Sequence, residues 1–420
     1  MVELQDVVAQ AHPALLGCFH HFEADRDATA RFGRHVERVE SCPPLVKFLK
    51  KRNRVIEEKP VGEHAVPKVT SGWAKGDPVL SYGVMNAFEL QTFGLEHLKR
   101  AERPVLEPAA GEALIRIRAL SLNYRDMLVV QGKYDPRLKL PRIPVSDGAG
   151  EVVSVGSGVT SWKPGDRVVM PFMPGWVDGA LSPAKTASAL GGAVDGLLRE
   201  FAIISTDALL PLPAHLSFEQ AATLPCAGVT AWNGLFASGN LQPGQTLLLQ
   251  GTGGVSLFGL QFGKMAGATI IVTSSSDAKL ERARSMGADH TINYRDEPNW
   301  EKRVLEITGG RGVDLTLEVG GAGTLSKTLR ATKYEGHVSL IGVLAGISGE
   351  LQLGHILHKA LNVRGIYVGS REMFQAMNAA LSHHRIEPLI DRTFPFAESV
   401  DAFRHLESGK HFGKIVIRID

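Results

Sequence analysis

The stretch Thr246-Leu-Leu-Leu-Gln-Gly-Thr-Gly-Gly-Val-Ser256 decides the fold. Three leucines run into a glycine-rich turn, and an apolar pattern of helical period continues from Ser256 to Met265. That order reads as a buried strand, a tight turn and a helix start. Gly251 and Gly253 permit the turn and let the backbone approach a pyrophosphate, which then rests on the N–H groups of a helix N-terminus. Ser256 stands where a third glycine usually allows close helix–strand packing. A glycine turn alone is a weak signal. Here strand and helix flank it, and a second strand, Ala268-Thr-Ile-Ile-Val-Thr273, follows at the spacing of a dinucleotide site.

The cofactor's identity is read from the end of that second strand. About 20 residues past the turn, a site for NAD usually carries a carboxylate that holds the ribose 2′-hydroxyl. Ser274, Ser275 and Ser276 occupy this place, followed by Lys279 and Arg282. Hydroxyls and cations suit a 2′-phosphate, which a carboxylate would repel. Asp277 argues the other way, and the serines would also serve as plain helix caps. The chemistry favours NADPH over NADH.

Further units of strand and helix follow. Strands are expected at 246–251, 268–273, 290–293, 313–319, 337–342 and 362–368, with helices between the first five. The right-handed crossover makes such a sheet parallel and doubly wound. Upstream the regime differs. Phe88–Gln91, Gly111–Arg118, Glu151–Val155, Asp166–Met170 and Phe201–Ile204 are short strands separated by glycine and proline, the pattern of a small β-barrel-like domain. Near Pro211 the patterns change over: Ser217-Phe-Glu-Gln220 is a capping box, and its helix should kink at Pro225. A helix from Arg371 to about His383 leads to a last alternating strand, Gly413–Ile419, which is expected to return to the β domain.

Bulk properties exclude several classes. A chain of 420 residues implies two or more domains. The formal net charge of +2 points to neither nucleic acid nor an anionic membrane as partner. The three cysteines, Cys18, Cys42 and Cys226, lack paired spacing, which fits a reducing, cytoplasmic setting. No apolar run reaches bilayer length, and no secretory signal opens the chain. Residues 1–84 read as an N-terminal extension, either poorly ordered or upstream of a true start at Met85. Helices fit Val2–Cys18 and Ala28–Arg38, and early acidic residues argue against a mitochondrial presequence. Cys18, His20 and His21 lack a fourth ligand at metal-site spacing.

Several motifs in order add up to a resemblance. They are Asn123-Tyr-Arg-Asp126, Ser146-Asp-Gly-Ala-Gly150, Lys163–Val168, Leu224–Trp232, Gly251–Ser256, Gly287-Ala-Asp-His290 and His411–Val416. From Asn86 to Asp420 the chain resembles the medium-chain dehydrogenase/reductase superfamily, in its zinc-lacking, quinone oxidoreductase-like branch. The resemblance implies a GroES-like β domain (85–210, completed by 371–420) and a Rossmann domain (211–370), with the active site between them. Zinc-dependent relatives place a cysteine where Asn123 sits and a His-Glu pair where Ser146-Asp147 sits. Only Cys226 stands at a ligand position, so no metal site is expected, and Cys226 reads as a packed helix residue.

The resemblance implies hydride transfer to a quinone or an α,β-unsaturated carbonyl, with charge accumulating on the far oxygen. Tyr124 is the first candidate for proton donor there, with Asn123 beside it and Arg125 as charge stabiliser; Tyr134 is a candidate for the pocket rim. Cofactor contacts are expected from Gly251, Gly253, Gly254 and Val255 at the pyrophosphate. Ser274, Ser275, Lys279 and Tyr294 would meet the adenosine half, and Thr230 the nicotinamide side. Gly320 and Gly321 would line the groove, Ile341, Gly342 and Val343 would hold the carboxamide, and Phe412 and Lys414 would return to the cleft. The substrate is a small molecule. Alternatives are a metal-free alcohol or aldehyde dehydrogenase-type activity, or a non-catalytic NADPH-binding structural or sensor protein. A homodimer is implied, with the strand Asn362–Val368 pairing at the sheet edge.

Overall fold

The computed structural model describes residues 83–420, so the readings of residues 1–82, including Cys18, His20 and His21, lie outside the described residues. An antiparallel hairpin comes first, β1 (Val84–Leu90) against β2 (Leu98–Pro104), with Val84 opposite Pro104. The strands β3 (Glu112–Leu122), β4 (Asp147–Val155), β5 (Arg167–Met170), β6 (Phe201–Ser205) and β7 (Leu210–Pro211) follow. β3 was expected to end at Arg118. It runs four residues further, and Ala119–Leu122 is buried on both faces because β4 and a late strand flank it. That extension carries the chain to Asn123 at the bottom of the cleft.

The parallel sheet contains β8 (Thr246–Gln250), β9 (Thr269–Ser274), β10 (His290–Asn293), β11 (Val313–Glu318), β12 (Thr332–Leu340) and β13 (Asn362–Gly365). Their spatial order is β10-β9-β8-β11-β12-β13, all parallel, which is the doubly wound Rossmann arrangement. Every residue of β8 is buried, as a strand covered on both faces requires. The order reverses between β8 and β11, so the crevice opens at their carboxyl ends, where the glycine turn lies.

The last strands, β14 (Ile390–Pro395) and β15 (Lys414–Arg418), join the first sheet in the order β14-β15-β3-β4-β5-β7, with β6 also on β3. β15 is antiparallel to β3, Ile415 facing Leu122. Just before β15, the Gly413 N–H donates to Thr252 O at 3.1 Å, so this return segment is tied to the glycine turn as well.

Two expectations need correction. The helix after Ser217 does more than kink at Pro225. It is a short helix, Phe218–Ala222, then a π turn at Leu224–Gly228, a helical turn at Val229–Trp232 and a second π turn at Asn233–Ala237. Proline has no N–H to give the i→i−4 ladder, and the wider turns absorb the loss. The strand expected at 362–368 ends at Gly365, because Val368 is left-handed (φ 56°) and its carbonyl accepts from Asn233 Nδ2 at 2.7 Å. The chain therefore leaves the sheet edge and carries Tyr367 to Tyr134 and Phe172.

Candidate active site

The glycine turn has the form of a phosphate cradle. Gly251 is left-handed (φ 73°), and a Cβ at Gly251 or Gly253 would meet nothing within 4 Å. The helix Gly254–Met265 begins with no side-chain cap, which leaves its first N–H groups for an anion. Ser256, in place of the third glycine, donates its hydroxyl to Gln250 O at 2.6 Å and so closes the turn. Close packing passes to Gly259, where a Cβ would lie 2.8 Å from Leu249.

At the adenosine end, Ser276 caps the helix Asp277–Ser285, and Asp277 accepts from Asn293 Nδ2 at 2.9 Å. Asp277 is thus drawn to the next strand. Ser274 is buried at the end of β9, and Tyr294 is exposed beside it, its N–H on Ser274 O. Lys279 was expected to reach an adenosine phosphate; here its ammonium donates to Gly409 O at 2.8 Å, and Arg282 lies 4.0 Å over the Phe412 ring. Phe412 is 1 % exposed, so it stiffens the wall behind this end and offers the cleft no surface. Beside it, His411 has a buried Nδ1 without a partner among the described residues. Burial first and the Lys279 charge second push its imidazole down to about 4.

The floor of the cleft is a buried charge cluster at the corner after β3. Asp126 accepts from the Asn123 N–H at 2.8 Å and closes the start of the helix Tyr124–Val130. Asp147 accepts from Ser146 Oγ at 2.7 Å and from the Cys226 N–H at 3.0 Å. Lys414 donates to Leu122 O at 2.6 Å and to Asn123 Oδ1 at 2.5 Å. The expected contact of this ammonium with the cofactor is not what the side chain does: it turns from the glycine turn to Asn123. Burial raises Asp147 to about 6, against the opposing Lys414 charge, and burial raises Asp126 and the Cys226 thiol too. Burial lowers Lys414, which the surrounding Asp147, Cys226 and Asp126 counteract.

Above this floor stands an aromatic box. The Arg125 guanidinium lies 5.0 Å from the Tyr134 ring and 4.7 Å from that of Phe172, and donates to Leu190 O at 2.6 Å. Its Nε and Nη2 are buried without hydrogen-bond partners among the described residues. A Cβ at Gly192 would lie 2.3 Å from Nη2, so a side chain there would have to displace the guanidinium tip. The Tyr134 and Tyr367 hydroxyls are 2.6 Å apart. One donates to the other, so the pair keeps one hydroxyl proton for a third group. Burial keeps Tyr367 protonated well above neutral pH. Tyr124, by contrast, is 44 % exposed, and its hydroxyl has no hydrogen bond to the described residues. Sequence reasoning missed Tyr367, which no local pattern marks.

Thr230 is buried on the helical turn between the two π turns. Gly320 and Gly321 donate their N–H groups to Glu318 Oε1 at 2.8 and 3.0 Å, which shapes the groove floor after β11. The Ile341 and Gly342 N–H groups are already bonded to Glu318 O, at 2.8 and 3.2 Å. Of the three residues expected at the carboxamide, only Val343 keeps an N–H without an acceptor among the described residues.

Two family models match, one described as alcohol dehydrogenase GroES-like domain over residues 109–214 and one as zinc-binding dehydrogenase over residues 254–383. A zinc-type alcohol dehydrogenase-like protein of Schizosaccharomyces pombe is 45% identical over 336 residues, covering 78% of this chain and 96% of its own. The crystal structure of a putative alcohol dehydrogenase from Sinorhizobium meliloti superposes with a TM-score of 0.75 at 42% identity, over 80% of this chain and 99% of that one. That of an NAD-dependent alcohol dehydrogenase superposes with a TM-score of 0.74 at 32% identity, over 80% and 100%.

The zinc in two of these descriptions can be tested against the donors present. Asn123, Ser146, Asp147 and Cys226 supply a single thiol, held protonated by burial, and no imidazole, while the Lys414 ammonium sits among them. Among the described residues no three His, Cys, Asp or Glu side chains are grouped to hold a metal ion. This donor set does not fit zinc.

Proposed function

The chain belongs to the medium-chain dehydrogenase/reductase superfamily of NAD(P)-dependent oxidoreductases, and from that premise we propose that it is an NADPH-dependent reductase of quinones or α,β-unsaturated carbonyls that works without zinc. The observation that carries this reading is the cleft's own set of donors. A Tyr134–Tyr367 hydroxyl pair over the Arg125 guanidinium, together with the unpartnered Asn123 Nδ2, offers hydrogen bonds and positive charge to an oxygen that gains electrons. An alcohol must instead lose its hydroxyl proton as hydride leaves, a step that a metal-bound alkoxide eases and this donor set does not provide.

Bound NADPH supplies the hydride. The chain's residues do the rest. The uncapped N-terminus at Gly253, Gly254 and Val255 holds phosphate, and Thr230 and Val343 line the nicotinamide side. Ser275 and Tyr294 bound the adenosine side with hydroxyls, and Lys279 and Arg282, though held by Gly409 O and the Phe412 ring, keep that edge positive, which favours a 2′-phosphate. The hydroxyl pair donates to the substrate oxygen, and the Arg125 charge keeps that proton available while the oxygen becomes negative.

The test is a titration of NADPH against NADH by nicotinamide fluorescence, followed by turnover on a panel of enones, quinones, alcohols and aldehydes. Tighter NADPH binding and reduction of the unsaturated acceptors support the reading. Preference for NADH with alcohol oxidation favours the second reading, a metal-free alcohol dehydrogenase-type activity. The NAD-dependent alcohol dehydrogenase of similar fold is the observation that keeps it in play. Tight binding without any turnover would point to the non-catalytic reading. We further propose a homodimer through the exposed edge of the parallel sheet, and a reducing compartment such as the cytoplasm. No helix among the described residues is long and apolar enough to cross a membrane.

A further inference from the structure

We propose that Lys414 is the resident cation of the cleft, a positioning residue that locks the Asn123 amide with Nδ2 as donor to the substrate oxygen and supplies the positive charge that a metal ion would otherwise bring. The proposal rests on the reductase reading for the identity of that oxygen, and on geometry for the rest.

The register of β15 against β3 sets Ile415 opposite Leu122, so Lys414 falls beside Asn123. Its stem crosses the start of the helix after the glycine turn. A Cβ on Gly254 would lie 2.5 Å from Lys414 Cδ, so only glycine leaves the passage open. The ammonium, 3 % exposed, then reaches Leu122 O and Asn123 Oδ1 at 2.6 and 2.5 Å, and its third N–H has no acceptor among the described residues. Because an ammonium only donates, it fixes which end of the Asn123 amide faces it. The other end, Nδ2, is buried without a hydrogen-bond partner among the described residues; it lies beside Asp147, close enough to favour that carboxylate's charge, but not in bonding geometry. A buried N–H left unsatisfied is costly, and an oxygen brought to it by the substrate would satisfy it. Charge on Oδ1 also polarises the amide and strengthens the Nδ2–H donor. Burial works against the ammonium charge, and the neighbouring Asp147, Cys226 and Asp126 oppose that loss, so these groups favour a cation at this place, where the donors do not fit zinc.

The experiment uses the full chain with Lys414→Met, Lys414→Arg and the double variant Lys414→Met/Asp147→Asn. Four quantities are measured: the thermal midpoint, NADPH affinity, kcat and KM on the acceptor found active, and the pH at which para-nitrophenol ionises when bound beside NADP. Nitrophenolate mimics the oxygen that gains charge, so this last readout does not depend on turnover. We expect Lys414→Met to bind NADPH within about threefold of the parent and to lose about 100-fold in kcat, the scale of one oxyanion donor, with KM little changed. Bound nitrophenol should ionise at higher pH than in the parent. Lys414→Arg should restore part of kcat. The double variant, which removes the unpaired buried carboxylate, should regain the thermal midpoint and not kcat. If kcat returns with the midpoint in the double variant, or nitrophenol titrates alike in all forms, Lys414 only holds the fold and the proposal fails. Stoichiometric zinc lost on Cys226→Ser also overturns it. If the parent oxidises alcohols alone, the reductase reading fails, and the nitrophenol titration still decides the role of Lys414.

Discussion

Two adjacent glycines at the turn have different reasons to be glycine. Gly253 has an ordinary φ of −81° and open space where a Cβ would go, so the fold does not need it. Gly254 faces Lys414 Cδ and Ala227 at 2.5 and 3.1 Å. Gly253→Ala should leave the thermal midpoint unchanged and weaken the dinucleotide about tenfold, because the methyl stands in the phosphate cradle and a 1.4 kcal/mol loss is tenfold. Gly254→Ala should cost about 1–3 kcal/mol of stability through overpacking, seen as a lower urea midpoint. At the other end of the cleft, Tyr367→Phe should lower kcat about 100-fold with little change in NADPH affinity, since it breaks the hydroxyl pair. Tyr124→Phe should change kcat less than about twofold, because no described residue engages its exposed hydroxyl. The reverse order of effects in steady-state kinetics would return Tyr124 to the role its sequence position suggested.

The carboxyl end of β11 shows what an element must carry to shape a site. Glu318 is fully buried with no ion pair among the described residues, and its oxygens accept from Gln250 Nε2, Thr324 Oγ1, Thr328 Oγ1 and the N–H groups of Gly320 and Gly321. Five donors converge on one carboxylate and hold β8, β11 and the next helix in one arrangement around the groove. Glu318→Gln would point an amide NH2 at some of these donors. It should cost about 2–3 kcal/mol in chemical denaturation and loosen dinucleotide binding, although it removes only a charge. A stability within about 0.5 kcal/mol of the parent would mean that the network relaxes without loss. The two π turns act at the same scale. They turn Asn233 towards Val368, which ends β13 early and delivers Tyr367.

For the whole molecule, two buried groups pull stability in opposite directions with pH. Asp147 is raised to about 6, so between about pH 4 and 6 the folded state binds the extra proton and stability falls as pH rises. His411 is lowered to about 4, so from about pH 4 to 6.5 the unfolded state binds more protons and stability rises with pH. The two slopes offset each other over the shared window. Thermal midpoints measured from pH 4 to 6 should therefore climb more steeply in Asp147→Asn and turn downward with pH in His411→Asn. Parallel curves for parent and variants would show that neither group carries the linkage. Assembly belongs to this scale as well. Ile347 and Leu357 are 84 % and 77 % exposed in the segment between β12 and the edge strand β13. A large apolar surface beside an open edge needs cover. Leu357→Glu should shift the species seen by light scattering from dimer to monomer; a parent that is already monomeric would rule the dimer out.

Much of the fold was legible in residues 246–276, because a buried strand, a glycine turn and a capped helix are set by local sterics, hydrophobic period and backbone hydrogen bonding. The NAD(P) cofactor class followed from the same stretch, and the chemistry of the donors Asn123, Ser146, Asp147 and Cys226 is likewise read from the residues themselves. These are properties that a residue carries in its own neighbourhood. The rest was decided by contacts between residues far apart in the chain. Tyr134 meets Tyr367 across 233 positions, and Lys414 meets Asn123 across 291. No period or motif encodes which distant donor will find which acceptor. That choice is made only when β15 settles against β3 and burial removes the water that would otherwise satisfy each group alone.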